Sequence, residues 1–514
     1  MKNKALIALI LALVLCLSSL PALACTAIYV GSDLTVDGTT LFARSEDISN
    51  SMNKLYFTSP AGKYKAGENY QGCYGFTYVF SHDSYSFNCF SDDNGTGVSG
   101  VCPDCGGTHP HNPYGAAGTN EKGVTVTATE TLSGGSKLIK AVDPFNKVTG
   151  IEEAEIPTVL LSEAATAKEA VDLLLSIYDN VGAQAGSGIF IADDTETWYI
   201  ENVSGTQYIA LKLNGGLAFA VPNQSAIGLI DLDDENVIAS AKLIAVAKEA
   251  GTYVGDEAAN TIDFIGSYLP DQKAGDRYFL ALNYFNGNTA KNTKEEILPT
   301  DYAISNVDSE GNIVPLYTNI TLDRAYGVSD VIGYYDIKGI GSTSNLEIHI
   351  FQIAKDNSLT DTVEWVAMDN GCYNVFVPYY PMLTQDTYAA YQLSTPKASF
   401  TEEQPTEGIY YATTYRKQPG YKVLPTNWAD SYYWTFDALS NLCEYGNVDT
   451  LQVQAVENQL AKLQVECYQM MDAMEDAVKA ASTPEEAAKI ATQMSMDAAK
   501  HVHTKVVALV NAIQ

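Results

Sequence analysis

Apolar and polar positions change rhythm several times along this chain, and each change marks an element. Thr26-Ala27-Ile28-Tyr29-Val30 and Thr39-Thr40-Leu41-Phe42-Ala43-Arg44 are β-rich runs. Between them, Gly31 to Gly38 holds the turn signal Asp37-Gly38. Pairing the runs as a hairpin with Val30 opposite Thr39 places Arg44 opposite Cys25, with Asp47 three residues further along. From Glu155 to Tyr178 the period becomes helical, with Leu160, Leu161, Ala164, Ala167, Val171, Leu174 and Leu175 on one face. Ile189 to Ile200 and Tyr208 to Val221 alternate like strands. Beyond about Asn447, Val456, Leu460, Leu463, Cys467, Met470, Met474 and Val478 recur at spacings of three and four. A second helix opens at Thr483-Pro484-Glu485-Glu486, with a capping residue, Pro at the first helical position and Glu at the third. Strands, helices and strands again predict an α+β fold in which helices cover stacked sheets. The expected division is a main domain over 25–446 and a C-terminal helical pair over 447–514 packed on it, a partner-binding hairpin being the alternative for the pair.

The amino terminus follows another logic. Lys2 and Lys4 precede an apolar run from Ala5 to Leu17, too short to span a bilayer comfortably. It leads to Ala22-Leu23-Ala24, the small-residue pattern that signal peptidase reads. Residues 1–24 are therefore expected to be a signal peptide, and the mature chain to be secreted or extracytoplasmic, with no stable membrane insertion after cleavage. That cut changes the 30 basic and 62 acidic residues of the 514-residue chain to 28 and 62, and the net charge from -32 to -34. Such a field repels phosphate backbones and excludes nucleic acid as a partner, without naming a substrate.

Cleavage after Ala24 would make Cys25 the first residue. In one reading Cys25 is a lipid attachment site, with thiol and amine acylated, although Ala22 stands where a lipobox carries a large aliphatic residue. In the other the terminus stays free. An α-amino group titrates near ~7.7–8.0 and a thiol near ~8.5, so the amine can take the thiol proton. The two exclude each other, because a capped amine is no base. An incidental cysteine after the cleavage site is the third option. A cation such as Arg44 beside the terminus favours thiolate, and Asp47 would hold the ammonium or the guanidinium in place.

Cys25-Thr26, the Asp-Gly-Thr turn and Ala43-Arg44-Ser45-Glu46-Asp47 together resemble the start of the C69 dipeptidases, N-terminal nucleophile hydrolases related to penicillin V acylase and bile salt hydrolase. The resemblance continues through Asn120-Glu121-Lys122-Gly123-Val124, Asp193 to Glu201 with Trp198, Val221-Pro222-Asn223, Gly275-Asp276-Arg277-Tyr278, Tyr373 to Tyr380 and Tyr432-Tyr433-Trp434. It implies a four-layer αββα sandwich in which Cys25 is the nucleophile and its own α-amine the base. It further implies that Arg44 and Asp47 orient the terminus, Asn223 donates to the oxyanion, Asn120 is a second donor and Arg277 closes the polar network. No cofactor or catalytic metal is expected. Arg44-Ser45-Glu46-Asp47 stands where Arg-Asn-Asp-Asp is frequent, which keeps the Arg and the final Asp.

Cys73, Cys89, Cys102 and Cys105 cluster with His109 and His111 before Asn120. In an exported chain disulfides are the favoured use, with a structural metal at Cys102-Pro103-Asp104-Cys105 and free thiols as alternatives. The expected function is an exported cysteine-type peptidase that hydrolyses dipeptides or short peptides through an acyl-enzyme. Its partners are a short peptide substrate and signal peptidase, with homo-oligomerisation left open. The alternatives are a bile-salt or penicillin-type acyl-amide hydrolase and a lipid-anchored binding protein without turnover.

Overall fold

The computed structural model describes residues 25–47, 53–72, 75–93, 114–129, 132, 134–272, 275–285, 320, 322–355, 358–415, 418–446 and 448–514. Two antiparallel sheets face each other. The first runs Ala218–Val221, Thr26–Val30, Thr40–Asp47, Asn345–Ile353, Thr362–Met368, Val377–Tyr379. The second has eight strands, in the order Val237–Ala239, Tyr208–Leu213, Thr197–Asn202, Ser187–Ala192, Thr125–Thr129, Gly115–Thr119, Phe87–Asp92, Lys54–Ser59.

Side-chain alternation along each strand sorts residues into three cores. Ala27, Tyr29 and Phe42 join Phe190, Tyr199 and Phe351 between the sheets. Ile28, Val30, Leu41 and Ala43 point the other way, onto Val331, Tyr334, Ile340 and Met474. On the far face of the second sheet, Ile189, Ile191, Trp198 and Ile200 pack under Leu160, Leu161, Val171 and Leu174. Helix, sheet, sheet, helix is the resulting order, the αββα sandwich expected from the resemblance. Phe42 bridges the sheets, with ring centroids 5.1 Å from Phe351 and 5.7 Å from Phe190.

Three elements depart from the sequence pattern. The helix expected from Glu155 to Tyr178 is two helices, Ile156–Glu163 and Ala167–Asn180. Thr166 caps the second by accepting from Glu169 N at 3.1 Å, while Glu169 Oε2 accepts from Ala165 N at 2.8 Å. Ala164 and Ala167 stay buried on either side of the break, so the apolar face carries no trace of it. Ile189 to Ile200 is two strands, because Asp193 Oδ1 accepts from Thr195 N and Glu196 N and closes a turn. Tyr208 to Val221 is also two strands, and they lie in different sheets. The crossing passes Gly215, packed so tightly on Gly31 that a Cβ on Gly31 would meet the Gly215 carbonyl oxygen at 2.4 Å.

The C-terminal pair, Thr450–Lys479 and Pro484–Ile513, is part of the body of the molecule. Val456, Leu460, Leu463, Cys467, Val502, Val506 and Val510 enter one core, while Met474, Val478 and Ala491 enter another. His503, 5% exposed, joins Thr435 Oγ1 at 3.0 Å and Tyr388 OH at 3.2 Å, and burial pushes its pKa down to about 4. Thr483 caps the second helix as its sequence predicts, and Asp449 caps the first. Among the described residues no helix is long and apolar enough to cross a membrane.

This packing predicts that Leu460→Ala, at a site 4% exposed, destabilises the fold by about 2–4 kcal/mol. Leu451→Ala on the same helix, 77% exposed, should change stability by less than about 0.5 kcal/mol. Urea unfolding midpoints of the two variants check the contrast; equal midpoints would return the pair to the role of a free partner-binding hairpin.

Candidate active site

Cys25 stands at the head of Thr26–Val30, the second strand of the six-stranded sheet. The register pairs Ala27 with Arg44 on one side and with Val221 on the other. Val30 therefore faces Leu41, not Thr39, and the expected hairpin is corrected by two residues. The connection is no tight turn: Ser32–Leu34 forms a short 3-10 helix, Thr35 bridges to Tyr326 and Gly38 takes φ +73° before the second strand begins. A slip of two residues keeps every side chain on its face, so Arg44 still shares a face with Cys25, now as a diagonal neighbour.

The Arg44 side chain is fully buried, with Nη2 3.6 Å from Cys25 Sγ. Its Nη1 donates to Ala116 O at 3.3 Å, and Glu46 Oε2 lies 3.7 Å from Nη2. Lys54 Nζ donates to both Glu46 oxygens at 2.7 Å and to Asp92 at 2.5 Å. Burial pushes the Cys25 thiol pKa up; Arg44 opposes the rise, while Glu153, Asp47 and Glu46 add to it. The thiol is thus held protonated at neutral pH, although a cation waits beside its sulfur.

The guanidinium that Asp47 holds is that of Arg277, whose Nη1 pairs with Asp47 Oδ2. The same Nη1 donates to Thr26 Oγ1 at 3.1 Å, and Nε donates to Gly339 O at 2.9 Å. Asn345 Nδ2 donates to Asp47 Oδ1 at 2.5 Å. Burial raises the Asp47 pKa against the pull of Arg277. Tyr335 OH donates to Thr26 O at 2.9 Å, so the residue after Cys25 is fixed by both its side chain and its carbonyl.

Asn223 lies two residues beyond the last pair of its strand, and extending the register sets it across from Cys25. It adopts φ +59°, a left-handed conformation that Asn tolerates better than most residues. Its loop is pinned from beneath: Glu201 accepts from Ala226 N at 2.6 Å, from Tyr199 OH at 2.8 Å and from Ser225 Oγ. Burial pushes the Glu201 pKa up to about 7. Gln272 Oε1 and Nε2 bond Ser225 N and O, and Gly275 N donates to Gln224 Oε1, tying this loop to the chain that leads into Arg277. A cavity of about 230 Å³ opens here, with Ser136, Asn223, Gln224, Asp271 and Gln272 on its walls.

Asn120 goes elsewhere, which corrects its expected part as a second oxyanion donor. Its two amide hydrogens go to Leu161 O at 2.9 Å and Ala164 O at 2.8 Å, and its oxygen accepts from Lys122 N and Val124 N. It locks a turn against the first covering helix. Asn345, Tyr335 and Glu201 were not singled out for roles by their sequence. Glu201 closes a recognisable segment, but nothing local marks Asn345 or Tyr335.

Of the clustered cysteines, Cys89 is a buried free thiol whose pKa burial pushes up to about 12. Cys73, Cys102, Cys105, His109 and His111 lie outside the described residues. Cys372, Cys443 and Cys467 are also free thiols.

A sequence model for peptidase family C69 matches residues 24–415. The probable dipeptidase B of Streptococcus pyogenes serotype M18 is 31% identical over 390 residues, 72% of this chain and 74% of that protein. The probable dipeptidase of Salmonella dublin is 28% identical over 377 residues, covering 70% of this chain and 81% of that protein. Dipeptidase A of Lactobacillus helveticus is 28% identical over 396 residues, with 73% and 78% covered. The match starts one residue before Cys25 and spans Arg44, Asp47, Asn223 and Arg277, so the site described above lies inside the shared region, and the chain belongs to peptidase family C69.

Proposed function

We propose that this chain is an exported dipeptidase of the cysteine type, which hydrolyses dipeptides or short peptides through an acyl-enzyme on Cys25. The observation that carries the reading is the 3.6 Å approach of the buried Arg44 guanidinium to the Cys25 sulfur. The dipeptidase names of the relatives support the substrate class.

Because burial and three carboxylates hold the thiol protonated, attack requires a base within reach. In this reading the base is the α-amine of Cys25, released when signal peptidase cuts after Ala24. Before that cut the nitrogen is an amide and cannot accept a proton. After it, the neutral amine takes the thiol proton and Sγ attacks the amide carbonyl, with Arg44 stabilising the thiolate. Asn223 donates to the oxyanion without titrating. The amine then passes its proton to the leaving nitrogen, and water, deprotonated by the same amine, clears the thioester. Arg277 and Tyr335 aim the nucleophile by holding Thr26.

In the mature protein, Cys25→Ala should lower dipeptide turnover on the order of 10⁴-fold or more; a variant within tenfold of the parent would remove Cys25 from the chemistry. Asn223→Ala should lower kcat about 10²–10³-fold with KM changed by less than about threefold, and steady-state kinetics on one dipeptide reads both. Because only the neutral amine accepts a proton, kcat/KM should rise about tenfold per pH unit up to ~7.7–8.0 and level off above. A profile flat from pH 6 to 9 would be incompatible with the amine as base.

A further inference from the structure

One nitrogen of Arg44 faces two acceptors. Its Nη2 lies 3.6 Å from Cys25 Sγ and 3.7 Å from Glu46 Oε2. A guanidinium normally donates to a carboxylate at about 2.7–2.9 Å, so the second distance is too long for a hydrogen bond. Glu46 offsets the charge of Arg44 without taking its hydrogen. The two residues are two positions apart on Thr40–Asp47 and share its inner face. Among the described residues Arg44 Nε has no hydrogen-bond partner. The guanidinium therefore keeps a donor edge to offer, and a two-pronged pair with a carboxylate is the arrangement it favours. Such a pair with Glu46 would draw the cation along its own strand and off the sulfur.

Lys54 holds Glu46 back. Its Nζ donates to Glu46 Oε1 and Oε2 at 2.7 Å each and to Asp92 Oδ1 at 2.5 Å, so its three hydrogens have three acceptors. Lys54 is buried at the start of Lys54–Ser59 in the opposing sheet, directly across from Asp92. The residue before it is pinned as well. Asn53 Nδ2 donates to Asp93 Oδ2 at 2.9 Å and to Leu393 O at 2.7 Å, and Asn53 O accepts from Asp93 N at 3.0 Å. The ammonium thus draws Glu46 toward a fixed point in the second sheet.

We infer that Lys54 is a positioning residue for the reaction. By occupying both oxygens of Glu46 it keeps that carboxylate from capturing the Arg44 guanidinium, and so leaves the guanidinium to the Cys25 sulfur. Lys54 acts through Glu46, and its importance disappears when Glu46 can no longer compete. The thiolate then owes its cation to a contest settled one residue away from the nucleophile's own partner. The inference rests on the reading of Cys25 as the nucleophile.

Two readouts on the mature protein test it: the rate at which iodoacetamide alkylates Cys25, followed by the mass of its peptide, and kcat and KM on L-alanyl-L-alanine. Lys54→Met should slow alkylation and lower kcat by about tenfold or more, with KM within about threefold of the parent. Glu46→Gln removes the competing carboxylate and should speed alkylation by about threefold or more. The double variant Lys54→Met/Glu46→Gln should match Glu46→Gln within about threefold in both rates, because Lys54 then has nothing to restrain. A lysine that merely held the fold together would show no such dependence on Glu46. Lys54→Met at the parent's rates overturns the inference. So does a Glu46→Gln variant that alkylates more slowly than the parent, or a double variant about tenfold or more below Glu46→Gln. Should Lys54→Met fail to fold, the double variant against Glu46→Gln decides. Alkylation needs no substrate, so a parent inactive on the dipeptide overturns the dipeptidase reading while the alkylation rates still decide the inference.

Discussion

A guanidinium with no exposed surface, 3.6 Å from a thiol, is the constraint around which this sandwich is arranged. Removing such a charge from water costs several kcal/mol unless partners replace the lost hydration. The first strand pair cannot supply them alone. Arg44 takes Glu46 from its own strand and the Ala116 carbonyl from the opposing sheet. Glu46 is in turn held by Lys54, and Lys54 by Asp92, its direct cross-strand neighbour in that second sheet. The charges therefore form a ladder from one sheet to the other. Next to it, Phe42, Phe190 and Phe351 fill the gap with rings and keep it dry. The dryness makes the cation effective on the sulfur, and the ladder makes the dryness tolerable. Site electrostatics and inter-sheet packing are thus one arrangement.

The second constraint is positional. Under the proposed reading Cys25 is a nucleophile at the end of a chain, with one covalent tether, and its neighbour must be fixed if it is to be aimed. Thr26 is fixed twice, by Arg277 at its hydroxyl and by Tyr335 at its carbonyl. Both partners come from the far part of the chain, on elements that cover the outer face of the six-stranded sheet. Under the proposed reading, removing whatever precedes Cys25 changes the chemistry of one nitrogen while these contacts stay in place.

How far the sequence disclosed this depends on the reach of each signal. Cys25, Arg44, Asp47 and Arg277 were legible because their chemical types stand in a recognisable order, and the structure brings the four together. The hairpin register differs from the expected one by two residues, yet the face agrees, since strand periodicity is blind to slips of two. The helix break at residues 164–166 was hidden because its cap leaves the apolar face unbroken. The split between Tyr208–Leu213 and Ala218–Val221 was hidden because alternation is the same in either sheet. Asn120 shows the opposite error: a resemblance suggested catalysis, while its amide fits a turn. Glu153, Asn345 and Tyr335 were out of reach. Asn345 and Tyr335 act on residues about 300 positions away, and no local spacing encodes such a contact.

The loop that carries Asn223 shows a tension between stability and activity. It begins where the chain has just crossed between sheets, it holds a left-handed asparagine, and its footing is the buried carboxylate of Glu201. Burial drives that carboxyl toward the neutral form, and hydrogen bonds from Ser225, Ala226, Tyr199 and Ile227 draw it back to a pKa of about 7. A folded-state pKa above the ordinary carboxylate range means that ionising Glu201 costs stability as pH rises from about 4.5 to 7. The ionised form is the one whose oxygens accept from Tyr199, Ser225 and Ala226 together; a protonated carboxyl would have to donate one of these bonds to a hydroxyl and reverse its direction. Firm placement of Asn223 therefore favours the less stable side of this titration. The α-amine of Cys25, in its proposed role, must also lose a proton over the neutral range before it can act. The two requirements share a direction while the fold's own preference at Glu201 opposes it, as expected where a buried polar group is kept for its placement and not for its contribution to stability.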